Sequence, residues 1–296
     1  MRTRMRVGVI GLGRRWRRRY KPALSALSDL FTIGSVCDEI QGRAAAEARS
    51  LGCLVQGPAA LIQRADIDAI VMSDSQWFGL WPVELACTAG KPVFSAVPLE
   101  ADRTHVGQIV ERVRAAALPF MLETVPRAAP ELARLQAIVE AELGAPRLAR
   151  VEVTRPPLMR APLSAAASES LVPFVDWTTR VFHSEPVGAT CATAGSMRLW
   201  TLDFGGGKAA EIVQREAAGA CQNRFEVVAA HGRITVELPG LLTWNVRDGR
   251  QVQLLRRRAP VGRQLLTDFH RVVTADAAPE PGLADAYRML RWLYPE

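Results

Sequence analysis

The 296 residues are 49% hydrophobic and 23% charged, too apolar for a disordered chain, and no uninterrupted apolar run reaches the roughly 18 residues of a membrane span. The 37 basic and 30 acidic residues give a net +7, but nine bases and no acid fall within residues 1–21, leaving 28 bases against 30 acids in the rest. An excess confined to one place argues against general attraction to nucleic acid or membranes and asks for a local cause.

In chain order, Arg6 to Ile10 is a short β-branched run closed by Gly11-Leu12-Gly13. Trp16, Tyr20, Leu24 and Leu27 then recur at helical spacing. Phe31 to Cys37 reads as the next strand, stopping at Asp38-Glu39, and a helix over Gly42 to Leu51 leads to a brief strand at Cys53–Val55. Strands at Ile67–Met72, Val93–Ala96 and Phe120–Glu123 alternate with helices at Trp81–Ala89 and Asp102–Ala117. Buried runs alternating with amphipathic helices predict βαβ units on a parallel sheet. From about Arg147 the pattern becomes alternation (Leu148, Val151, Val153; later Ile234, Val236, Leu238), as in a sheet with one polar face. Asp248-Gly249 and Gly205-Gly206-Gly207 mark hairpin turns, and Leu283 to Leu293 reads as a closing helix. The expected fold is α/β: an N-terminal Rossmann doubly wound parallel sheet over residues 1–124, plus a C-terminal α+β domain with a mainly antiparallel open sheet over 125–296, whose last helix can pack back on the first domain.

The five cysteines are scattered without a C-x-x-C pair and the four histidines lack ligand spacing, which predicts neither a disulfide framework nor a metal site. The arginine run is followed by a short helical segment rather than the long apolar stretch of an export signal, so a cytoplasmic location is expected.

A strand, then Gly11-x-Gly13, then a helix, then an acid closing the second strand is the dinucleotide-binding arrangement. The first glycine permits the tight turn, and the second lets the backbone approach a pyrophosphate at the helix N-terminus. Asp38, 25 residues after Gly13, stands where an acid holds the adenosine ribose and favours NAD over NADP by repelling a 2′-phosphate. The third glycine position is Trp16, either a core residue on the Tyr20–Leu24 stripe or a ring that narrows the pyrophosphate cleft. Arg14 and Arg15 are the phosphate candidates, whereas Arg17, Arg18 and Arg19 are expected to face solvent or a partner.

Together these features resemble the Gfo/Idh/MocA family of glucose–fructose oxidoreductases and inositol dehydrogenases. The resemblance runs through Val7-Gly-Val-Ile-Gly-Leu-Gly13, Val36-Cys-Asp38, Asp66-Ile-Asp-Ala-Ile-Val71, Ala89-Gly-Lys-Pro-Val93, Pro98-Leu99 and Pro281-Gly-Leu-Ala-Asp-Ala-Tyr287. It implies NAD(P)-dependent hydride transfer on sugars or cyclitols, a cofactor contacted by Gly11, Leu12, Gly13, Arg14, Arg15, Trp16, Asp38, Ser73, Asp74, Ser75, Gln76 and Ala96, and a homodimer or tetramer built through the C-terminal sheet.

The family's catalytic marks are mostly absent. Its Glu-Lys-Pro signature, whose lysine helps to move the substrate proton, is Ala96-Val97-Pro98 here, and valine has no proton to give. Lys91 belongs to the turn before that strand. The family's Thr-Pro-Asn segment is replaced by Asp74-Ser75-Gln76, which sets a negative charge near the cofactor. The family's histidine falls at Pro173 or Phe174, its aspartate near Ser168 to Ser170, and Asp176 matches a downstream aspartate; His183 lies too far along the helix to substitute. Glu123 and Asp176 are the remaining candidates for acid–base work, and an ion pair with an arginine such as Arg127 is the structural alternative for Glu123. Three functions follow: a divergent or inactive dehydrogenase, a non-catalytic dinucleotide sensor, partner subunit or scaffold, and, last, nucleic-acid binding through residues 14–21.

Overall fold

The computed structural model describes residues 4–74, 77–99, 103–155, 171–217, 222–238, 240–246, 249–255, 260–275, 278–279 and 282–294. The chain divides into two compact units, Met1–Thr124 with Ala259–Tyr287, and Val125–Arg258 with Arg288–Glu296.

The first unit is built on six parallel strands: β1 (Met5–Ile10), β2 (Phe31–Cys37), β3 (Leu54–Val55), β4 (Ala69–Met72), β5 (Val93–Ser95) and β6 (Phe120–Leu122), in the order β3-β2-β1-β4-β5-β6. Strand order reverses between β1 and β4, and ligands of such sheets bind at the carboxyl ends of the strands beside that switch. Val7, Val9, Ile10, Ile70 and Val71 are buried without residue, as strands covered on both faces must be. The helices α1 (Lys21–Ala26), α2 (Gln41–Leu51), α3 (Pro58–Ile62), α4 (Trp81–Ala89) and α5 (Arg103–Ala115) supply the crossovers.

Ahead of α1, Trp16–Tyr20 forms a π-helical turn in which Lys21 N donates to Trp16 O, five residues back. Such turns are rare and cluster at functional sites. Trp16, Tyr20, Leu24 and Leu27 are all buried, so the predicted stripe is the face laid on the sheet. Trp16 is therefore a core residue in the position of a third glycine. Its bulk sits in the interior, and its indole N–H has no partner among the described residues.

The second unit begins with α6 (Val125–Ala128) and α7 (Pro130–Ile138), which runs into a second π turn at Val139–Leu143. Its eight strands are β7 (Pro146–Arg155), β8 (Gly188–Ala194), β9 (Met197–Asp203), β10 (Ala209–Glu216), β11 (Gln222–Ala229), β12 (Gly232–Glu237), β13 (Leu241–Val246) and β14 (Gly249–Leu254). All neighbours pair antiparallel except β7 with β10. One face carries Val151, Val153, Ile212, Phe225, Val227, Ile234 and Leu242, all fully buried. Helix α8 (Val172–Phe182) packs on it through Phe174 and Trp177, whose rings lie 6.0 and 5.0 Å from Phe225. Trp200 Nε1 donates to Leu293 O at 2.8 Å, which ties the chain's end to β9.

Two further helices follow, α9 (Val261–Thr274) and α10 (Leu283–Leu293). The strand-to-helix reading of the C-terminal region passes over α9, although Leu265, Leu266, Phe269 and Val272 form its buried stripe. Helix α9 belongs to the first unit, where Phe269 meets Phe94 at 5.8 Å and Phe94 meets Tyr20 at 5.4 Å, ring centre to ring centre. Among the described residues no helix is long and apolar enough to cross a membrane, and no cluster of His, Cys, Asp or Glu could hold a metal.

Candidate functional site

The first unit gathers most of the expected residues at the carboxyl ends of β1, β2, β4, β5 and β6. Gly11 turns the chain with φ +87°, a conformation that only glycine adopts cheaply. Its N–H donates to Cys37 O at 2.9 Å, and its carbonyl accepts from the Ser73 hydroxyl. The loop is thus pinned to the ends of β2 and β4.

Asp38 anchors the next residue. Its Oδ2 accepts from Leu12 N at 2.7 Å and its Oδ1 from Ile40 N at 2.9 Å, and Arg43 Nη1 lies 3.2 Å from Oδ1. The side chain is only 2% exposed. Both oxygens are engaged, so the carboxylate holds the loop, and Arg43 presents the cationic edge of the group. Burial first and Asp38 second push the neighbouring Cys37 thiol up to about 11, which leaves it a poor nucleophile at neutral pH.

Asp74 leans on the loop from the other side. A β-carbon placed on Gly13 would stand 2.0 Å from Asp74 Oδ2, and one on Gly11 would meet the Asp74 carbonyl oxygen at 1.7 Å. Ser75 and Gln76, also expected at the cofactor, lie outside the described residues.

The arginines divide differently from expectation. Arg14, Arg17 and Arg18 are exposed. Arg15 instead donates from Nη1 to Ala96 O at 2.8 Å, and its Nε lies 4.0 Å from Glu123 Oε2. Arg19, predicted to face outward, is turned inward and paired with Glu123, whose Oε1 also accepts from Tyr20. Glu123 is therefore paired with an arginine, but with Arg19 rather than Arg127, because the π turn brings positions 15, 19 and 20 over the end of β6. For Arg19, burial opposes the charge, but Glu123 and Tyr20 outweigh it and the guanidinium is held more firmly protonated than usual. Burial, then the Glu123 charge, raises the Tyr20 phenol well above its ordinary value, with Arg19 offsetting part. Arg19 and Tyr20 are the functional neighbours that sequence reasoning missed. Their only local signal was an arginine run beside an apolar stripe.

Where the resemblance implies a lysine, Val97 is buried and its N–H donates to Ser95 Oγ at 3.2 Å. Lys91 is spent on the carbonyls of Arg64, at 2.6 Å, and Ile67. In the second unit, Asp176 receives two bonds of 2.7 Å from Arg127 and is 1% exposed. Pro173 and Phe174 are buried in the first turn of α8, and His183 caps that helix in the left-handed region (φ +51°) with its side chain 69% exposed. Positions 168–170 lie outside the described residues.

A dinucleotide loop needs a tight first turn, a second residue without a side chain, and free backbone donors beside it. The turn and Gly13 are present, and among the described residues the amide of Gly13 has no other hydrogen-bond partner. The turn and the bare Gly13 suit the diphosphate portion of such a ligand, with Asp74 as the one misfit.

No protein-family model matches the chain. Among curated proteins it is 36% identical over 124 residues to dTDP-3,4-didehydro-2,6-dideoxy-alpha-D-glucose 3-reductase of Streptomyces antibioticus, a match covering 40% of this chain and 36% of that relative. Solved structures resemble it over nearly its whole length. The 3-ketoreductase KijD10 from Actinomadura kijaniata, in complex with NADP, superposes with a TM-score of 0.83 at 21% identity, covering 98% of this chain and 96% of that one. UDP-N-acetylglucosamine 3-dehydrogenase GnnA from Acidithiobacillus ferrooxidans gives 0.78 at 21%, covering 97% and 95%. The chain shares the fold of these reductases and dehydrogenases. At this identity the likeness speaks for the fold, and the resemblance read from the motifs is in keeping with it.

Proposed function

We propose that this protein is a divergent Gfo/Idh/MocA member that binds NAD(P) at the Gly11–Gly13 loop and lacks the family's lysine-assisted proton transfer. A bound nicotinamide would supply or accept a hydride. The chain's own groups hold the loop through Asp38 and Ser73 and fix the strand ends through Arg15 and Glu123. The observation that carries the reading is the commitment of every candidate acid or base. Val97 has no proton, Glu123 is tied to Arg19 and Tyr20, and Asp176 is tied to Arg127. Loss of a proton-transfer group typically lowers a rate by about 10²- to 10⁴-fold.

Asp38 supports NAD over NADP, and Arg43 beside it moderates that preference by offering a charge of the opposite sign. Oligomerisation through the uncovered face of the eight-stranded sheet is supported by Val252 and Leu254 of β14, which are 60% and 68% exposed.

A second reading is favoured by the curated relative: an active reductase of a nucleotide-activated keto sugar that uses proton donors other than the family's lysine. The two separate on titration of NAD, NADH, NADP and NADPH, followed by tryptophan fluorescence and melting temperature, and then assay with nucleotide-linked keto sugars. Binding without turnover supports the first reading and turnover the second. No response to any dinucleotide sinks both.

A further inference from the structure

The glycine at position 13 leaves one side of the loop open, and in a dinucleotide site that is the side a diphosphate approaches. Here the space is already taken. A β-carbon on Gly13 would lie 2.0 Å from Asp74 Oδ2, 2.7 Å from its Cγ and 3.3 Å from its Cβ, so the whole carboxyl end of the side chain rests there. At Gly11 the clash would be with Asp74 backbone, at 1.7 Å from O and 2.1 Å from C. Both glycines are thus required by Asp74 itself, the first by its main chain and the second by its carboxylate.

The charge balance sharpens this. Asp38 approaches the same loop through Leu12 N, so carboxylates flank it on two sides. Asp38 has Arg43 beside it. Among the described residues no cation lies within ion-pair distance of Asp74. Arg14, next to Gly13, is exposed, while Arg15 and Arg19 are directed to Glu123 and, for Arg15, the Ala96 carbonyl. An incoming diphosphate would therefore meet a negative group in the space it needs.

We propose that Asp74 sets the affinity of this loop for dinucleotides: its carboxylate occupies the space beside Gly13, repels the diphosphate, and must turn away for the ligand to bind. The proposal rests on the dinucleotide reading above. It predicts that removing the charge helps any ligand with a diphosphate and leaves ligands without one unaffected.

The test is calorimetric titration of the full chain and of Asp74→Asn and Asp74→Ser with NAD, NADH, NADP and NADPH, using adenosine as the uncharged control. Both variants should bind the four dinucleotides at least about tenfold more tightly than the wild type, with adenosine unchanged. Equal affinity overturns the proposal, and weaker affinity overturns it by making Asp74 a ligand contact. Either result leaves the dinucleotide reading standing, because the wild type still binds. No binding by any of the three proteins removes the dinucleotide reading and this proposal with it. A stability cycle gives an independent check. Gly13→Ala should lower the melting temperature markedly in the wild type and much less in Asp74→Ser. Equal losses in both backgrounds would show that the carboxylate does not rest against Gly13 and would overturn the proposal.

Discussion

Tyr20 donates its phenolic hydrogen bond to Glu123, 103 residues further along the chain, and Arg19 pairs with the same oxygen. Two consecutive residues can converge on one carboxylate because the π turn rotates both toward the end of β6. The arrangement secures the glycine loop's helix to the carboxyl edge of the sheet. On the reading proposed above, Glu123 holds structure rather than moving a proton.

Removing the carboxylate should therefore cost stability rather than proton transfer. Glu123→Ala leaves a largely buried guanidinium and a fully buried phenol without their acceptor, and a loss of about 2–4 kcal/mol is expected in urea unfolding. A loss below about 0.5 kcal/mol would show that the cluster contributes no more than an exposed ion pair.

The raised Tyr20 phenol has a consequence at alkaline pH. An unfolded tyrosine ionises near 10, whereas the folded one holds its proton to higher pH. Through the interval between those values the folded chain binds more protons than the unfolded chain. Stability is thus complete below about pH 10 and falls as pH rises above it. Tyr20→Phe should lower stability at neutral pH by about 1 kcal/mol and remove that part of the alkaline decline. Unchanged alkaline slopes in wild type and variant would contradict this.

Trp16 fills interior space in the position of the third glycine. Restoring the glycine is therefore expected to destabilise the first unit by about 3–5 kcal/mol through the cavity it opens, rather than to improve the loop. Denaturant unfolding measures the loss, and a neutral Trp16→Gly would show that the indole is not packed.

In the second unit, Arg127→Ala would strand Asp176, which is 1% exposed and doubly bonded to that arginine. The expected loss is about 3–5 kcal/mol. Asp176→Asn in the same chain should restore part of it, since the amide carries no charge. Additive losses in the double variant would mean the two groups are not coupled.

Much of the fold was legible because parallel strands and amphipathic helices leave local marks. Phe31–Cys37 and Trp81–Ala89 fall where the pattern sets them, and the Trp16–Leu27 stripe is the buried face. The strand expected at Ile67–Met72 starts at Ala69, because Ile67 is apolar for packing and not for pairing. Helix α9 carries a helical stripe in its sequence, Val261, Leu265, Leu266, Phe269 and Val272, which the strand-to-helix reading of that region passes over. The site was legible in its parts and not in its pairings. Glycines, Asp38 and the valine at the position where the resemblance implies a lysine are local features, but which arginine meets Glu123, and that Asp74 rests on Gly13, depend on contacts between distant segments.

The protein is expected to bind a dinucleotide and to lack the family's proton-transfer chemistry. The most direct measurement is titration of the wild-type chain with NAD, NADH, NADP and NADPH, followed by nicotinamide absorbance on adding nucleotide-linked sugars and keto sugars. Saturable binding of at least one dinucleotide, a rise in melting temperature and no sustained change in absorbance are predicted. Sustained turnover by the wild type, or no binding of any dinucleotide, would contradict it.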